Sequence, residues 1–306
     1  MTMRFAIMGA GGVGGYYGAC LTRAGEDVTF IARGAHLAAM QEKGLLIRDR
    51  DDDFTVTPVT ATDDPATFEP VDTVLMCVKL YDTEYSAKLI QPLVGPDTVV
   101  ITLQNGVEAP EIVESVIGSG HTLGGATYIS ATITKPGTIR RNNDLTHIEF
   151  GEMDGPATDR VHKLVEAFKA AELDARPTDD TAALLWSKFV LLAANSGMTS
   201  LIRQDTGVLR DDPVIREAHT AALAEVTTVG RALGVNLAKN IEQRCLDWLD
   251  QNAPIKPSLL VDLEAGNRLE VGWLSGAVHR LGQKAGVPTP THTAIYAALR
   301  PFEGGG

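Results

Sequence analysis

The chain has 306 residues, 44% of them hydrophobic and 22% charged, with a formal net charge of −12. This describes a globular protein of about two domains, and the acidic balance argues against nucleic acid as a partner while leaving room for a locally basic site that takes an anionic substrate. No apolar run reaches the length of a membrane span, and the short apolar start lacks a secretory pattern, so a cytoplasmic location is expected.

In chain order, residues 4–8 form a short apolar strand that runs into Gly9-Ala10-Gly11-Gly12-Val13-Gly14. In a G-x-G-x-x-G loop the first glycine allows a tight turn. The second lets a pyrophosphate approach the backbone, and the third lets helix and strand pack closely. The N–H groups at the following helix start then hold the phosphates. The motif alone is weak, but here a strand precedes it, a helix pattern follows, and a second strand comes at 27–33. NAD-binding units usually end that second strand with an acid facing the ribose 2′-hydroxyl. This one ends in Arg33, and a cation there suits a 2′-phosphate, so NADP(H) is the expected cofactor. The bland alternative is an exposed arginine beyond a strand end. His36 is either a further phosphate contact or an ordinary loop histidine.

Residues 36–43 read as a helix ended by Gly44. Residues 45–48 and 54–59 could pair across the acidic turn at 49–53. Residues 72–78 and 98–103 are near-continuous apolar runs, as expected of buried parallel strands. Segments 128–134 and 147–150 add β-rich pieces around the turn at 135–137, a helix follows at 160–173, and a short extended piece reaches Pro177. The expected class is α/β, a Rossmann-type doubly wound parallel sheet. Beyond about residue 179 helical patterns dominate, at 181–196, 212–233, 237–250 and 258–285. The expected domains are therefore 1–177, NADP-binding, and 178–306, all-α and substrate-binding. Cys20, Cys77 and Cys245 are widely spaced and read as core thiols, with no metal-ligand spacing.

A reductase needs an acid or cation near the substrate carbonyl, where negative charge builds as hydride arrives. Lys188 lies in the apolar stretch Leu184-Leu185-Trp186-Ser187-Lys188-Phe189-Val190-Leu191-Leu192 and either snorkels to the surface or faces a site. At 100° per residue, Leu192, Asn195 and Thr199 lie within about 40° of it on the helix face. Glu270 is the second candidate, with a solvated charge paired to Arg268 as its plain alternative. Ser258 opens the helix after Pro257, so an N-cap role competes, and Asp262 reads as structural. Lys79 and Asn105-Gly106 follow two buried strands, where residues face the ligand crevice of an open α/β sheet, although Asn-Gly is also an ordinary turn.

Residues 9–14 with Gly15-Tyr16-Tyr17-Gly18, Val78-Lys79, Gln104-Asn105-Gly106-Val107, Trp186-Ser187-Lys188, and Ser258-Leu259-Leu260-Val261-Asp262 through Glu270 together resemble the ketopantoate reductase (2-dehydropantoate 2-reductase) family. The resemblance covers almost the whole chain and keeps the order of the motifs. It implies NADPH-dependent reduction of a 2-oxo acid, 2-dehydropantoate to pantoate in pantothenate biosynthesis, in a cleft between the two domains. It implies Lys188 as general acid and Asn105 as a contact to both cofactor and substrate. Ser258 would meet the substrate, Glu270 would sit near both, and Ser130 aligns with a cofactor-contacting backbone position. The family pattern usually places asparagines four and eight residues after the lysine and another before a later glycine. Here those positions hold Leu192, Ser196 and Thr206, with Asn195 one residue off register. The departures bear on the substrate side and leave a paralogue for a more apolar 2-oxo acid as the alternative. A 3-hydroxyacid dehydrogenase and an NADPH-sensing protein are the remaining readings, and the retained Lys188 and Glu270 speak against the sensor. The expected partner is a small-molecule 2-oxo acid, not nucleic acid or membrane, and a homodimer is left open.

Overall fold

The computed structural model describes residues 2–50 and 52–306. Asp51, within the expected turn at 49–53, lies outside the described residues. The chain divides into two compact units, one ending at Leu184 and the other spanning Leu185–Gly306. The expected division after residue 177 falls ahead of the helix Thr181–Ile202, whereas the units divide within that helix.

The first unit contains β1 (Arg4–Met8), α1 (Gly12–Arg23), β2 (Asp27–Ile31), α2 (Gly34–Lys43), β3 (Leu45–Arg48), β4 (Phe54–Val56), β5 (Thr60–Thr62) and β6 (Thr73–Met76). It continues with α3 (Thr83–Leu89), β7 (Val99–Thr102), α4 (Ala109–Ile117), β8 (Thr122–Thr127), β9 (Ala131–Lys135), β10 (Thr138–Arg141), β11 (Ile148–Glu152), α5 (Asp159–Ala170) and β12 (Ala175–Pro177). An 8-stranded sheet has the order β12-β11-β8-β7-β6-β1-β2-β5. It is parallel from β8 to β5, and β11 joins β8 antiparallel.

The strands are apolar throughout because both faces of the sheet are covered. Successive residues of β1 show this. Phe5 and Ile7 enter a core with Tyr17 of α1 and Phe168 of α5, while Ala6 and Met8 enter another with Ala87 of α3 and Val113 of α4. Burying each large side chain contributes about 1.5–3 kcal/mol.

Two expectations need correction here, and one strand is unanticipated. The strand expected over 54–59 stops at Val56, and β5 is separate and joins β2. The hairpin β9–β10 does not extend the main sheet; it forms a 4-stranded sheet in the order β4-β3-β10-β9. β8, the stretch Thr-Leu-Gly-Gly-Ala-Thr, escapes propensity because paired glycines weaken a strand locally. It is nevertheless fully buried between β7 and β11, where Leu103 and Ile101 come within 3.1 Å of where a Cβ on Gly125 would stand.

The second unit is helical: α6 (Thr181–Ile202, which begins in the first unit), α7 (Thr206–Asp211), α8 (Pro213–Ala232), α9 (Ile241–Gln251), α10 (Ser258–Glu264), α11 (Ser275–Ala285) and α12 (Pro290–Leu299). Among the described residues no strand follows Pro177, and no helix is long and apolar enough to cross a membrane. Local signals set several ends. Asp212 accepts from the N–H groups of Val214 and Ile215 at 2.9 and 3.0 Å, and Pro213 occupies the first helical position of α8. Buried polar groups tie the helices together. Glu225 of α8 accepts from the N–H groups of Thr291 and His292 at 2.8 and 2.9 Å and so caps α12. His292 bonds the carbonyl of Ala222 at 3.1 Å and the hydroxyl of Ser275 at 3.2 Å.

The single helix expected over 258–285 is two helices. Gly266 at φ +68° ends the first, and the N–H of Leu269 donates to the carbonyl of Glu303 at 3.0 Å instead of continuing the helix.

Candidate active-site residues in each unit

In the first unit the loop after β1 takes the shape its glycines permit. Gly9 sits at φ +94°. The N–H groups of Gly9 and Ala10 both donate to the carbonyl of Ile31 at 3.2 Å, pinning the loop to the end of β2. Helix α1 begins at Gly12, and its first intrahelical bond runs from the N–H of Gly15 to the carbonyl of Gly11 at 2.8 Å. A helix start leaves the N–H groups of Gly12, Val13 and Gly14 without intrahelical acceptors.

The glycines divide by what a side chain would strike. A Cβ on Gly14 would stand 2.4 Å from the carbonyl oxygen of Gly9 and 2.9 Å from Ile7, and one on Gly12 would stand 1.9 Å from the carbonyl oxygen of Ala131. A Cβ on Gly11 would meet nothing within 4 Å. Protein packing therefore requires glycine at 12 and 14, while the open approach at Gly11 fits a bound pyrophosphate. Gly14→Ala is expected to destabilise the unit by about 1–3 kcal/mol, because a backbone carbonyl cannot yield. Gly11→Ala is expected to change stability by less than about 0.5 kcal/mol and to weaken dinucleotide binding. Thermal unfolding and cofactor titration of the two variants check this, and equal destabilisation would contradict it.

The other cofactor-side candidates follow neighbouring parallel strands at their carboxyl ends. Arg33 lies just past β2, Lys79 past β6 and Asn105 past β7, and these strands flank β1 in the order β7-β6-β1-β2. The fold thus brings residues 9–14, Arg33, Lys79 and Asn105 to one end of the sheet. Arg33 is 84% exposed and pairs with Asp82 at 3.5 Å. Lys79 and Asn105 are half-buried. Ser130 is exposed, and its backbone N–H donates to the side-chain oxygen of Asn143 at 2.9 Å, which engages the backbone donor of that position and leaves its hydroxyl proton as the donor it can offer. His36 does not face a phosphate. One ring nitrogen bonds the carbonyl of Ala10 at 2.9 Å, the other accepts from the N–H of Gly137 at 3.1 Å, and burial pushes its pKa down.

Gln104 carries a link that its type alone did not signal. Its buried amide donates to the hydroxyl of Thr83 at 3.2 Å, and that hydroxyl donates to the carbonyl of Leu80 at 2.8 Å, joining the loops after β7 and β6. Only the sheet order, which makes β6 and β7 neighbours, reveals it.

In the second unit Lys188 is half-buried on α6. Burial lowers its pKa from 10.5 to about 8, and the charge of Glu270 works against that fall. Glu270 is only 6% exposed, so it is not a solvated helix charge, and it sits in the loop before a short 3₁₀ turn at Val271–Trp273 rather than in a helix. A partly desolvated ammonium beside a buried acidic side chain is a lysine whose own pKa is brought toward neutrality. Leu192, one helical turn on from Lys188, is half-buried.

Three of the remaining substrate-side candidates are buried within the second unit. Asn195 is buried, and its side-chain oxygen is 2.7 Å from a ring nitrogen of His219 on α8. His219 is kept neutral by burial, its pKa pushed down to about 4. Ser196 is fully enclosed. Thr206 is buried and clasps Ile255 twice, donating its N–H to the Ile255 carbonyl at 3.0 Å and accepting the Ile255 N–H at its hydroxyl at 2.9 Å. Asn195 and Thr206 are thus held by partners within the second unit, while the enclosed hydroxyl of Ser196 has no hydrogen-bond partner among the described residues. Ser258 is exposed at the first position of α10, while Pro257 occupies the cap, so the capping alternative does not hold.

The family model described as ketopantoate reductase PanE/ApbA matches residues 5–155, and its C-terminal counterpart matches residues 180–303. A 2-dehydropantoate 2-reductase from Archaeoglobus fulgidus is 31% identical over 99% of the chain and 98% of its own length. The crystal structure of 2-dehydropantoate 2-reductase from Geobacter metallireducens superposes with a TM-score of 0.92 at 30% identity, covering 98% of this chain and 99% of that one. A ternary structure of D-mandelate dehydrogenase with NADH and anilino(oxo)acetate shares the fold, with a TM-score of 0.89 at 21% identity over 98% of each chain.

Proposed function

The chain belongs to the ketopantoate reductase family, and from that premise we propose that it reduces a 2-oxo acid to the 2-hydroxy acid with NADPH, 2-dehydropantoate being the leading substrate. The observation that carries the reading is Lys188, an ammonium drawn down to about 8 by burial and held from falling further by Glu270. Such a group gives up a proton readily near neutral pH yet is still largely charged when substrate arrives.

Bound NADPH supplies the hydride. The backbone of residues 9–14 would hold the pyrophosphate, Arg33 would meet the 2′-phosphate, and Lys79 and Asn105, at the same end of the sheet, would contact the rest of the cofactor. Lys188 donates its proton to the carbonyl oxygen of the substrate as that oxygen gains negative charge. Glu270 keeps Lys188 charged, and Ser258 offers a hydroxyl to the substrate. Cys20, Cys77 and Cys245 are free thiols, which accords with a reducing, cytoplasmic compartment.

A second reading has its own observation. Leu192 presents an apolar side chain one turn from Lys188, and Asn195, Ser196 and Thr206 are all buried. A substrate hydroxyl left without a partner costs about 1–3 kcal/mol, so this arrangement favours a 2-oxo acid with an apolar side chain. NADPH oxidation against a panel of 2-oxo acids that includes 2-dehydropantoate tests both readings. Oxidation with none of them would end the reductase proposal. Fastest turnover with an apolar acid would select the second reading. In that case Leu192→Asn is expected to raise turnover of 2-dehydropantoate relative to the apolar acid.

A further inference from the structure

We propose that His36 is a positioning residue for the phosphate loop, binding the loop to the small 4-stranded sheet so that the two act as one cofactor cradle. The proposal rests on residues 9–14 being the dinucleotide loop and adds a role for a residue outside it. The imidazole stands between two backbone groups of opposite kind. Ala10 offers a carbonyl, so the nitrogen 2.9 Å from it carries the proton, and Gly137 offers an N–H, so the nitrogen 3.1 Å from it is bare. Only the neutral ring in one tautomer satisfies both. The lowered pKa of His36 agrees with this but is not needed for it.

The surrounding contacts are equally tight. A Cβ on Gly12 would strike the carbonyl of Ala131 in β9, and one on Gly15 would come 2.1 Å from Ile139 in β10. Gly137 itself is at φ +74°, and its Cβ position would lie 3.1 Å from Ala39 on the helix that carries His36. The turn between β9 and β10 is thus seated on α2 and on the start of α1, and the hydrogen bonds of the His36 side chain reach both the turn and the loop. Ala10, pinned to the end of β2 through its N–H, is pinned by His36 through its carbonyl. That fixes the peptide plane leading into Gly11, where the pyrophosphate approaches. A preorganised loop loses less conformational freedom on binding.

Three substitutions separate the two bonds. His36→Phe keeps the ring volume and removes both. His36→Gln places an amide donor where the Ala10-facing nitrogen stands, and His36→Asn places an oxygen where the Gly137-facing nitrogen stands. NADPH is titrated into each cofactor-free protein by its fluorescence, alongside thermal unfolding and kcat at saturating NADPH. We expect about a 10-fold weaker Kd for His36→Phe. His36→Gln should recover most of that loss and His36→Asn little of it, with kcat within about 2-fold throughout. An unchanged Kd in His36→Phe overturns the proposal. So does a loss of affinity that follows the unfolding temperature equally in all three variants, since that is plain destabilisation. If the unaltered protein itself fails to bind NADPH, the dinucleotide reading falls and this proposal with it; if it binds NADPH and His36→Phe binds equally well, only the role of His36 falls.

Discussion

Replacing Lys188 with alanine is expected to lower kcat about 10²–10⁴-fold, the usual worth of a positioned acid. NADPH affinity should barely change, because on the proposed reading the phosphates belong to residues 9–14 and Arg33 of the first unit. The pH profile makes the same assignment from another direction. Lys188 must be protonated to act as acid, and its pKa is lowered to about 8. Reduction measured as kcat/KM should therefore hold below that pH and fall above it, since this ratio reports the free enzyme. Glu270 raises that pKa against burial, so Glu270→Gln should move the alkaline limb to lower pH. Stability follows the opposite course. Between about 8 and the ordinary 10.5 the unfolded chain binds the extra proton, so the contribution of this group to stability improves as pH rises through that window. Steady-state kinetics across pH, cofactor titration and denaturant unfolding check the set. Near-normal turnover in Lys188→Ala would place the acid on another residue.

Replacing Arg33 with alanine is expected to remove most of the preference for NADPH over NADH, about 1.5–3 kcal/mol for a charge-assisted contact to the 2′-phosphate. Arg33 is well placed to turn toward an anion. It is 84% exposed beyond β2, and its pairing with Asp82 at 3.5 Å is an exposed contact of little energetic weight. Binding of NADH, which lacks the phosphate, should hardly respond. Competing titrations with the two cofactors measure the preference directly. Equal affinity for both in the unaltered protein would remove the basis for giving Arg33 this role.

The features legible from sequence alone are those that local physics dictates. The strand–loop–helix at residues 4–23 depends on glycine spacing within a few residues, and each glycine can be understood from the backbone it must accommodate. Buried parallel strands such as β6 and β7 announce themselves because water is excluded from both faces. The change from alternating elements to helices is likewise a change in hydrophobic period. Lys188 stands out because an ammonium in an apolar helix has to be explained by something.

Tertiary structure decided whatever depends on partners distant in sequence. β8 reads weakly because of its glycines, and its place is set by β7 and β11. The hairpin β9–β10 looks like any other pair of strands until β3 claims it for a separate sheet. Helical periodicity carries through 258–285, but Glu303 takes the N–H of Leu269 and interrupts it, leaving Glu270 in a loop. The polar side chains follow the same logic. Asn195 lies on the lysine's side of an ideal helix, yet its hydrogen bond goes to His219, 24 residues away, and the hydroxyl of Thr206 goes to Ile255, 49 residues away. His36 reads as either a phosphate contact or a loop histidine until its two nitrogens find Ala10 and Gly137, 26 and 101 residues away. A hydrogen bond is decided by which donor and acceptor the folded chain brings within about 3 Å, and for these residues that meeting is long-range.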